Sequence, residues 1–276
     1  MKKYNFYFLL LLTLLFSSCA NSIPTLQERK QKIESLSINE NYFQKNIKTS
    51  SFNIFSLEKN LNSCKNKNIR VYIEGDGLSW VSRSVISQNP TPTNPVALSL
   101  MNEDLSQCKI YLARPCQYVD SMQCDKKYWT SHRFNEKIIQ SYNEVLDDLK
   151  IQYENSDFTL IGFSGGAAIA GLLSSSRDDV KMFISVAGNL DTNKWTTLHN
   201  ISKLDGSLNP ADYTKKLENI KQYHLIGNND KIIPKDIFLS YFSKFDKKDK
   251  VHVLYYEQNH NCCWENPFKK LLLEIK

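Results

Sequence analysis

Apolar and polar positions divide the chain into short strand-like runs and longer amphipathic stretches. Phe52–Leu57 alternates with period two. Ile69–Glu74 (IRVYIE), Lys109–Ala113 (KIYLA), Phe158–Phe163 (FTLIGF), Val180–Ala187, Gln222–Gly227 (QYHLIG) and Val251–Glu257 are dense in β-branched and aromatic residues and read as buried strands. Asn135–Leu149 places Ile138, Ile139, Tyr142, Val145 and Leu149 at helical spacing. Leu26–Leu36, the small-residue run Gly165–Leu173 and Phe268–Ile275 complete the expected helices, and residues 88–95 form a proline-rich rigid loop. Strands alternating with helices predict an α/β fold with a mainly parallel sheet covered on both faces. There is no repeat and no second core. The expected order is a leader over 1–18, a tether over 19–50 and one domain over 51–276. Its irregular insert, 188–216, is expected to cap one end of the sheet.

Composition narrows the class. The 276 residues are 41% hydrophobic and 23% charged, which excludes a disordered or fibrous chain. The net charge of +6 is spread in short runs such as Lys215-Lys216, as on a solvated surface. No zinc-finger spacing or RNA-binding motif is present, so nucleic acid is not expected as a partner. At the start, Lys2-Lys3 precede an eleven-residue apolar run, Phe6 to Phe16, too short to span a bilayer comfortably. Phe16-Ser17-Ser18-Cys19 follows and resembles a bacterial lipobox. That resemblance implies export, with Cys19 lipidated as the new N-terminus and the protein held on the cell envelope by its lipid. Ala20-Asn21 carries no acidic retention signal, which favours the outer membrane in a Gram-negative host.

Six cysteines lie beyond Cys19, and an even count in an exported chain suggests disulfides. Their connectivity is open from sequence. Cys64 and Cys108 each precede a strand and could meet at one sheet edge. Cys116 and Cys124 could close a short loop. Vicinal Cys262-Cys263 is not the first choice for a bridge, because adjacent cysteines strain the backbone, so one of them is expected to reach elsewhere.

Only nine residues are glycine, and three of them fall in Gly162-Phe163-Ser164-Gly165-Gly166. This G-x-S-x-G follows an apolar strand and opens a helix, the context a nucleophile elbow requires. Tiny residues two before and two after the serine let strand and helix approach, and the helix N-terminus directs positive potential at Ser164. On these residues the chain resembles the α/β-hydrolase superfamily. The resemblance covers roughly residues 65–276. More narrowly, YIEGDG, ARPCQY, AGNLDT and HNCCW resemble a group of bacterial α/β-hydrolase lipoproteins.

The family order of nucleophile, acid and histidine assigns the roles. Ser164 is the expected nucleophile and His260, beyond the last strand, the expected base. Asp230, in Gly227-Asn228-Asn229-Asp230-Lys231-Ile232-Ile233-Pro234, is the expected acid, with Asp191 the alternative. The oxyanion donors are expected from Gly165 and from Asp76 or Gly77 in the loop after IRVYIE. Here Glu74 and Asp76 depart from the family's His-Gly-x. Two carboxylates beside an anionic transition state are unfavourable unless turned away or neutralised, and Arg114 or Arg133 is the expected counter-charge. Asp76 either merely closes the turn or, on a sharper reading, selects a cationic substrate group. Trp80, Arg114, Tyr118 and Trp195 are expected near the substrate pocket; Trp129 lies in a loop of the same kind.

These readings imply a membrane-anchored serine hydrolase with a Ser-His-Asp triad, acting on an ester, thioester or other acyl bond of a small or peptide-like substrate. No metal and no organic cofactor are expected, and the oligomeric state is open. The alternatives are a prolyl-oligopeptidase-like peptidase, a catalytically silent surface-binding lipoprotein and, more weakly, thiol-redox chemistry through Cys262-Cys263.

Overall fold

The computed structural model describes residues 23–275. The expected leader, the lipobox and Cys19 lie outside the described residues. In chain order the elements are α1 (Leu26–Asn39), β1 (Phe43–Lys48), β2 (Asn53–Lys59), β3 (Asn68–Ile73), α2 (Val96–Glu103), β4 (Lys109–Leu112), α3 (Glu136–Tyr153) and β5 (Asp157–Phe163). They continue with α4 (Gly165–Ser176), β6 (Val180–Val186), α5 (Thr192–Leu198), α6 (Thr214–Leu217), β7 (Lys221–Gly227), α7 (Lys235–Ser243), β8 (Val251–Tyr256) and α8 (Glu265–Glu274).

The strands form one sheet in the order β1-β2-β4-β3-β5-β6-β7-β8. β2 runs antiparallel to β1 and β4, and every other pairing is parallel. Period-two alternation divides the side chains between two cores. Val71, Ile110 and Leu160 pack with α3, α4 and α7 on one face. Tyr72, Tyr111 and Ile161 pack with α1, α2 and α8 on the other. Helix α3 shows why the sequence pattern held: Ile138, Tyr142, Val145 and Leu149 all turn inward from one stripe, and Asn135 caps its first turn by accepting from the Lys137 N–H.

Three elements differ from the sequence reading. The sheet starts before residue 51, because β1 pairs with β2 from Phe43 opposite Glu58 to Lys48 opposite Asn53. Its sequence FQKNIK is a solvated edge with no apolar run to announce it. Helix α2 was hidden because VALSLMNE is short and apolar on nearly every side, as befits a helix with five buried residues. α7 (KDIFLSYFS) follows the acid loop without a break in composition. Within 188–216 the chain forms α5 and a short helical turn at Pro210–Asp212, and Asn135 Nδ2 donates to Gly206 O, joining this stretch to the 131–135 loop.

The cysteines pair as Cys64–Cys108, Cys116–Cys124 and Cys262–Cys263. The first two match the sheet-edge and short-loop expectations. The third corrects the expectation that one of the vicinal pair reaches elsewhere. The other four are already joined, and residues 262–263 lie exposed on the loop beyond β8, where Cys263 has a positive φ of 73°.

Candidate active site

β5 ends at Phe163 and α4 begins at Gly165, so the whole reversal rests on Ser164. Its backbone lies at φ 52°, ψ −117°, a positive-φ conformation that residues other than glycine rarely adopt. A Cβ on Gly162 would run into the backbone of Ala167, and one on Gly166 into the carbonyls of Ile73 and Glu74. Only glycine fits at either place. The turn is pinned by the Ser164 N–H donating to Val186 O at 2.9 Å and by Ser164 O accepting from Ala167 and Asn189, both at 3.1 Å.

His260 is brought 96 residues along the chain to this turn, with its Nε2 3.0 Å from Ser164 Oγ. Its Nδ1 lies 2.8 Å from Asp230 Oδ2. The other oxygen of Asp230 accepts from the Ile232 and Ile233 N–H groups, each at 2.8 Å. The carboxylate therefore has one free oxygen, aimed at the imidazole. The ring is fixed further by Phe163, 5.1 Å away between centroids, and by Trp264 Nε1 donating to His260 O. Asp191, the alternative acid, is committed elsewhere. It caps α5 through the Lys194 N–H and accepts from Ser240 Oγ at 2.7 Å, with Lys244 Nζ at 3.4 Å. Burial raises its pKa, but these partners together hold it below the ordinary range.

Beyond β3 the chain forms the loop Gly75-Asp76-Gly77. Gln117 Nε2 donates to Gly75 O at 3.0 Å, the Leu78 N–H donates to Pro90 O, and Gly77 takes a positive φ of 65°. The Asp76 carboxylate lies directly against the Cα of Gly165, where any Cβ would collide with it. Among the described residues, no acceptor takes the backbone N–H of Asp76 or Gly165. Both N–H groups are thus without a protein acceptor, one in the loop after β3 and one directly after Ser164.

Both arginines bind Asp76, one to each oxygen. Arg114 Nη1 is 2.7 Å from Oδ1 and Arg133 Nη1 is 2.7 Å from Oδ2. Burial pushes the Asp76 carboxyl up, but the fields and hydrogen bonds of Arg133 and Arg114 outweigh it and hold the group below the usual range. Asp76 is therefore spoken for and does not present a free carboxylate to a cation, which overturns the cationic-substrate expectation. Glu74 is turned away. It is 1% exposed and accepts from the Gly75 and Ala97 N–H groups and Tyr111 Oη. Burial, opposed by those bonds, pushes its pKa up to about 7.

The remaining expected pocket residues separate. Trp80 is exposed on the hairpin that follows Gly75-Asp76-Gly77. Trp195 on α5 donates from Nε1 to Ile232 O, beside the acid loop. Tyr118 does not line the pocket: it is buried against Phe55, with its N–H donating to Thr91 Oγ1. Trp129 is buried as well, donating to Ser87 O. His224 is a core residue bonded to Ser185 and Gln222, and burial pulls its pKa down to about 3. Two contributors had no explicit assignment from sequence: Asn189, whose N–H holds the Ser164 carbonyl, and Gln117. Both fall inside stretches that carried the family resemblance, AGNLDT and ARPCQY.

A family model described as serine hydrolase (FSH1) matches residues 84–270, more than half of the chain. No curated protein matches by sequence. Among solved structures, the esterase Pf2001 of Pyrococcus furiosus is 14% identical with a TM-score of 0.59, covering 87% of this chain and 92% of its own. Est1E of Butyrivibrio proteoclasticus is 12% identical with a TM-score of 0.59, covering 84% and 96%. An alpha-beta serine hydrolase homologue of Coxiella burnetii is 13% identical with a TM-score of 0.57, covering 84% and 96%. At these identities the structures speak for the α/β-hydrolase fold.

Proposed function

The chain belongs to the FSH1 serine hydrolase family, and from that premise we propose that Ser164, His260 and Asp230 form the triad of an exported, lipid-anchored enzyme that cleaves an ester, thioester or other acyl bond. The observation that carries this reading is the continuous path from Ser164 Oγ to His260 Nε2 at 3.0 Å and from His260 Nδ1 to Asp230 at 2.8 Å. His260 takes the proton from Ser164 as Oγ attacks the acyl carbon. Asp230 holds Nδ1 as the protonated ring nitrogen, so Nε2 is free to accept, and it stabilises the imidazolium that forms. The tetrahedral oxyanion is received by the Asp76 and Gly165 N–H groups. The intermediate collapses as His260 returns the proton to the leaving group, giving an acyl-Ser164. Water activated by the same imidazole then releases the acid. The esterase activity of the structural neighbours supports the acyl-bond class, and the lipobox-like stretch ending at Cys19 supports anchoring.

A fluorophosphonate probe is expected to label the wild type and to leave Ser164→Ala unlabelled; labelling that persists in the variant refutes the nucleophile. Asp230→Asn is expected to lower kcat by roughly 10⁴-fold, as loss of the triad acid does elsewhere, whereas Asp191→Asn keeps most of the activity. The reverse ranking would move the acid. For the anchor, Cys19→Ala is expected to shift the protein from the membrane to the soluble fraction on cell fractionation.

A further inference from the structure

Two arginines share one carboxylate at the edge of this site. The side chains of Arg114 and Arg133 are 5% and 7% exposed, and Asp76 is the sole carboxylate within salt-bridge distance of either among the described residues. The cluster therefore carries one positive charge that no protein group balances. A guanidinium held this far from water is costly unless it meets a counter-charge.

The two guanidinium groups are not equally available. Arg114 donates to Asp76 and to the Arg133 carbonyl, stacks on Phe134, and has its Nε sealed from solvent without a partner. Arg133 uses Nη1 for Asp76 and Nε for Thr130 O at 2.7 Å. Its Nη2 has no acceptor among the described residues and, unlike Arg114 Nε, is not sealed.

Arg133 also links the Asp76 loop to Trp195 on α5. One side holds Asp76, whose carboxylate rests on Gly165 next to Ser164. The other lies under the ring of Trp195, with Cζ 5.4 Å from its centroid. Trp195 in turn donates to Ile232 O, two residues beyond Asp230. Through these contacts Arg133 stands between the Asp76 loop and the Trp195 side chain that is bonded to the Asp230 loop.

We propose that Arg133 is the specificity-determining residue of this site, and that the preferred substrate is an ester or thioester carrying an anionic oxygen group, most simply a carboxylate, which binds at Arg133 Nη2. The proposal rests on the hydrolase reading above. It reverses the sign that the loop's acidic sequence suggested: Asp76 orients the arginines, and the charge left over for the substrate is positive. Trp195 covers one face of the guanidinium and fixes its plane, so the ligand approaches edge-on.

Matched esters test it. One pair carries the charge on the acyl side, mono-4-nitrophenyl glutarate against 4-nitrophenyl 5-methylhexanoate. A second carries it on the leaving group, the acetate ester of 4-hydroxybenzoate against that of 4-isopropylphenol. The wild type is expected to prefer the anionic member of at least one pair by about tenfold or more in kcat/KM, the scale of one hydrogen bond to a charged group. The preference should shrink as ionic strength rises. Arg133→Gln is expected to bring that ratio near unity and Arg133→Lys to keep part of it, with thermal unfolding of both variants confirming that they fold. Ratios at or below one in both pairs, with the neutral esters still hydrolysed and Ser164 still labelled, overturn the proposal and leave the hydrolase intact. A ratio that survives Arg133→Gln in a folded variant also overturns it. If no ester is turned over and Ser164 is not labelled, the hydrolase reading falls and takes the proposal with it.

Discussion

Glu74 and Asp76 leave the same end of β3 two residues apart, one fully and one mostly withdrawn from water, yet they are opposite electrostatic objects. Glu74 meets two backbone N–H groups and a tyrosine hydroxyl, all neutral donors, and its pKa rises to about 7. Asp76 meets two guanidinium groups and its pKa falls. Burial acts on both in the same direction. The partner decides the outcome, and a full positive charge overcomes a desolvation penalty that neutral dipoles offset only in part. The placement fits the chemistry: the carboxylate nearer Gly165 is the one kept charged and matched, while the one that is partly neutral near pH 7 is turned beneath the loop.

The strongest way to break this contrast is to delete the matched partner. Asp76→Ala leaves two nearly buried guanidinium groups facing each other without a counter-charge, and is expected to cost about 3–5 kcal/mol in denaturant unfolding. A loss below about 1 kcal/mol would mean the arginines find other partners, and the contrast would collapse.

The next effect is a pH dependence. With its folded pKa near 7, above the ordinary 4.5, Glu74 binds more proton in the folded than in the unfolded chain between those values. Its contribution to stability therefore declines as pH rises from about 4.5 to about 7, by about 3 kcal/mol in all. Asp76 is shifted the other way. Its contribution is complete above the ordinary 3.8 and is lost only as pH falls below that. Glu74→Gln is thus expected to be stabilised relative to wild type as pH rises from 4.5 to 8. A parallel pair of stability curves would show that Glu74 does not titrate in that window. The smallest change is Tyr111→Phe, which removes one donor to the Glu74 carboxylate. It is expected to cost about 1 kcal/mol at pH 8 and to move the Glu74 step above pH 7.

What the sequence could disclose follows the range of the interactions. The elbow was legible because strand, Gly162, Ser164, Gly166 and helix are contiguous, and the steric demand is written in adjacent residues. Asp230 and His260 were named through chain order at strand ends, and the structure links both to Ser164 by hydrogen bonds. The pairing of Asp76 with both Arg114 and Arg133 spans 38 and 57 residues and depends on how β4 and the 131–135 loop close over the Gly75–Gly77 turn. Sequence could name both arginines, but not that both would choose Asp76 and leave Glu74 to neutral donors. Tyr118 misled for a related reason. An aromatic residue in a loop looks available, yet at a positive φ of 63° it folds under its own loop into the core. β1 escaped because an edge strand is defined by its ladder to β2 rather than by its side chains.

The positive-φ backbone at Ser164 also bears on how such a protein changes over generations. A serine held there costs about 1–3 kcal/mol that glycine would not, and the strand registers and tight glycine contacts around it enforce the conformation. Under selection for stability alone, mutation at this codon would drift toward glycine. Serine at position 164 runs against the fold's own preference, so its persistence in a lineage would mark selection for use rather than for folding.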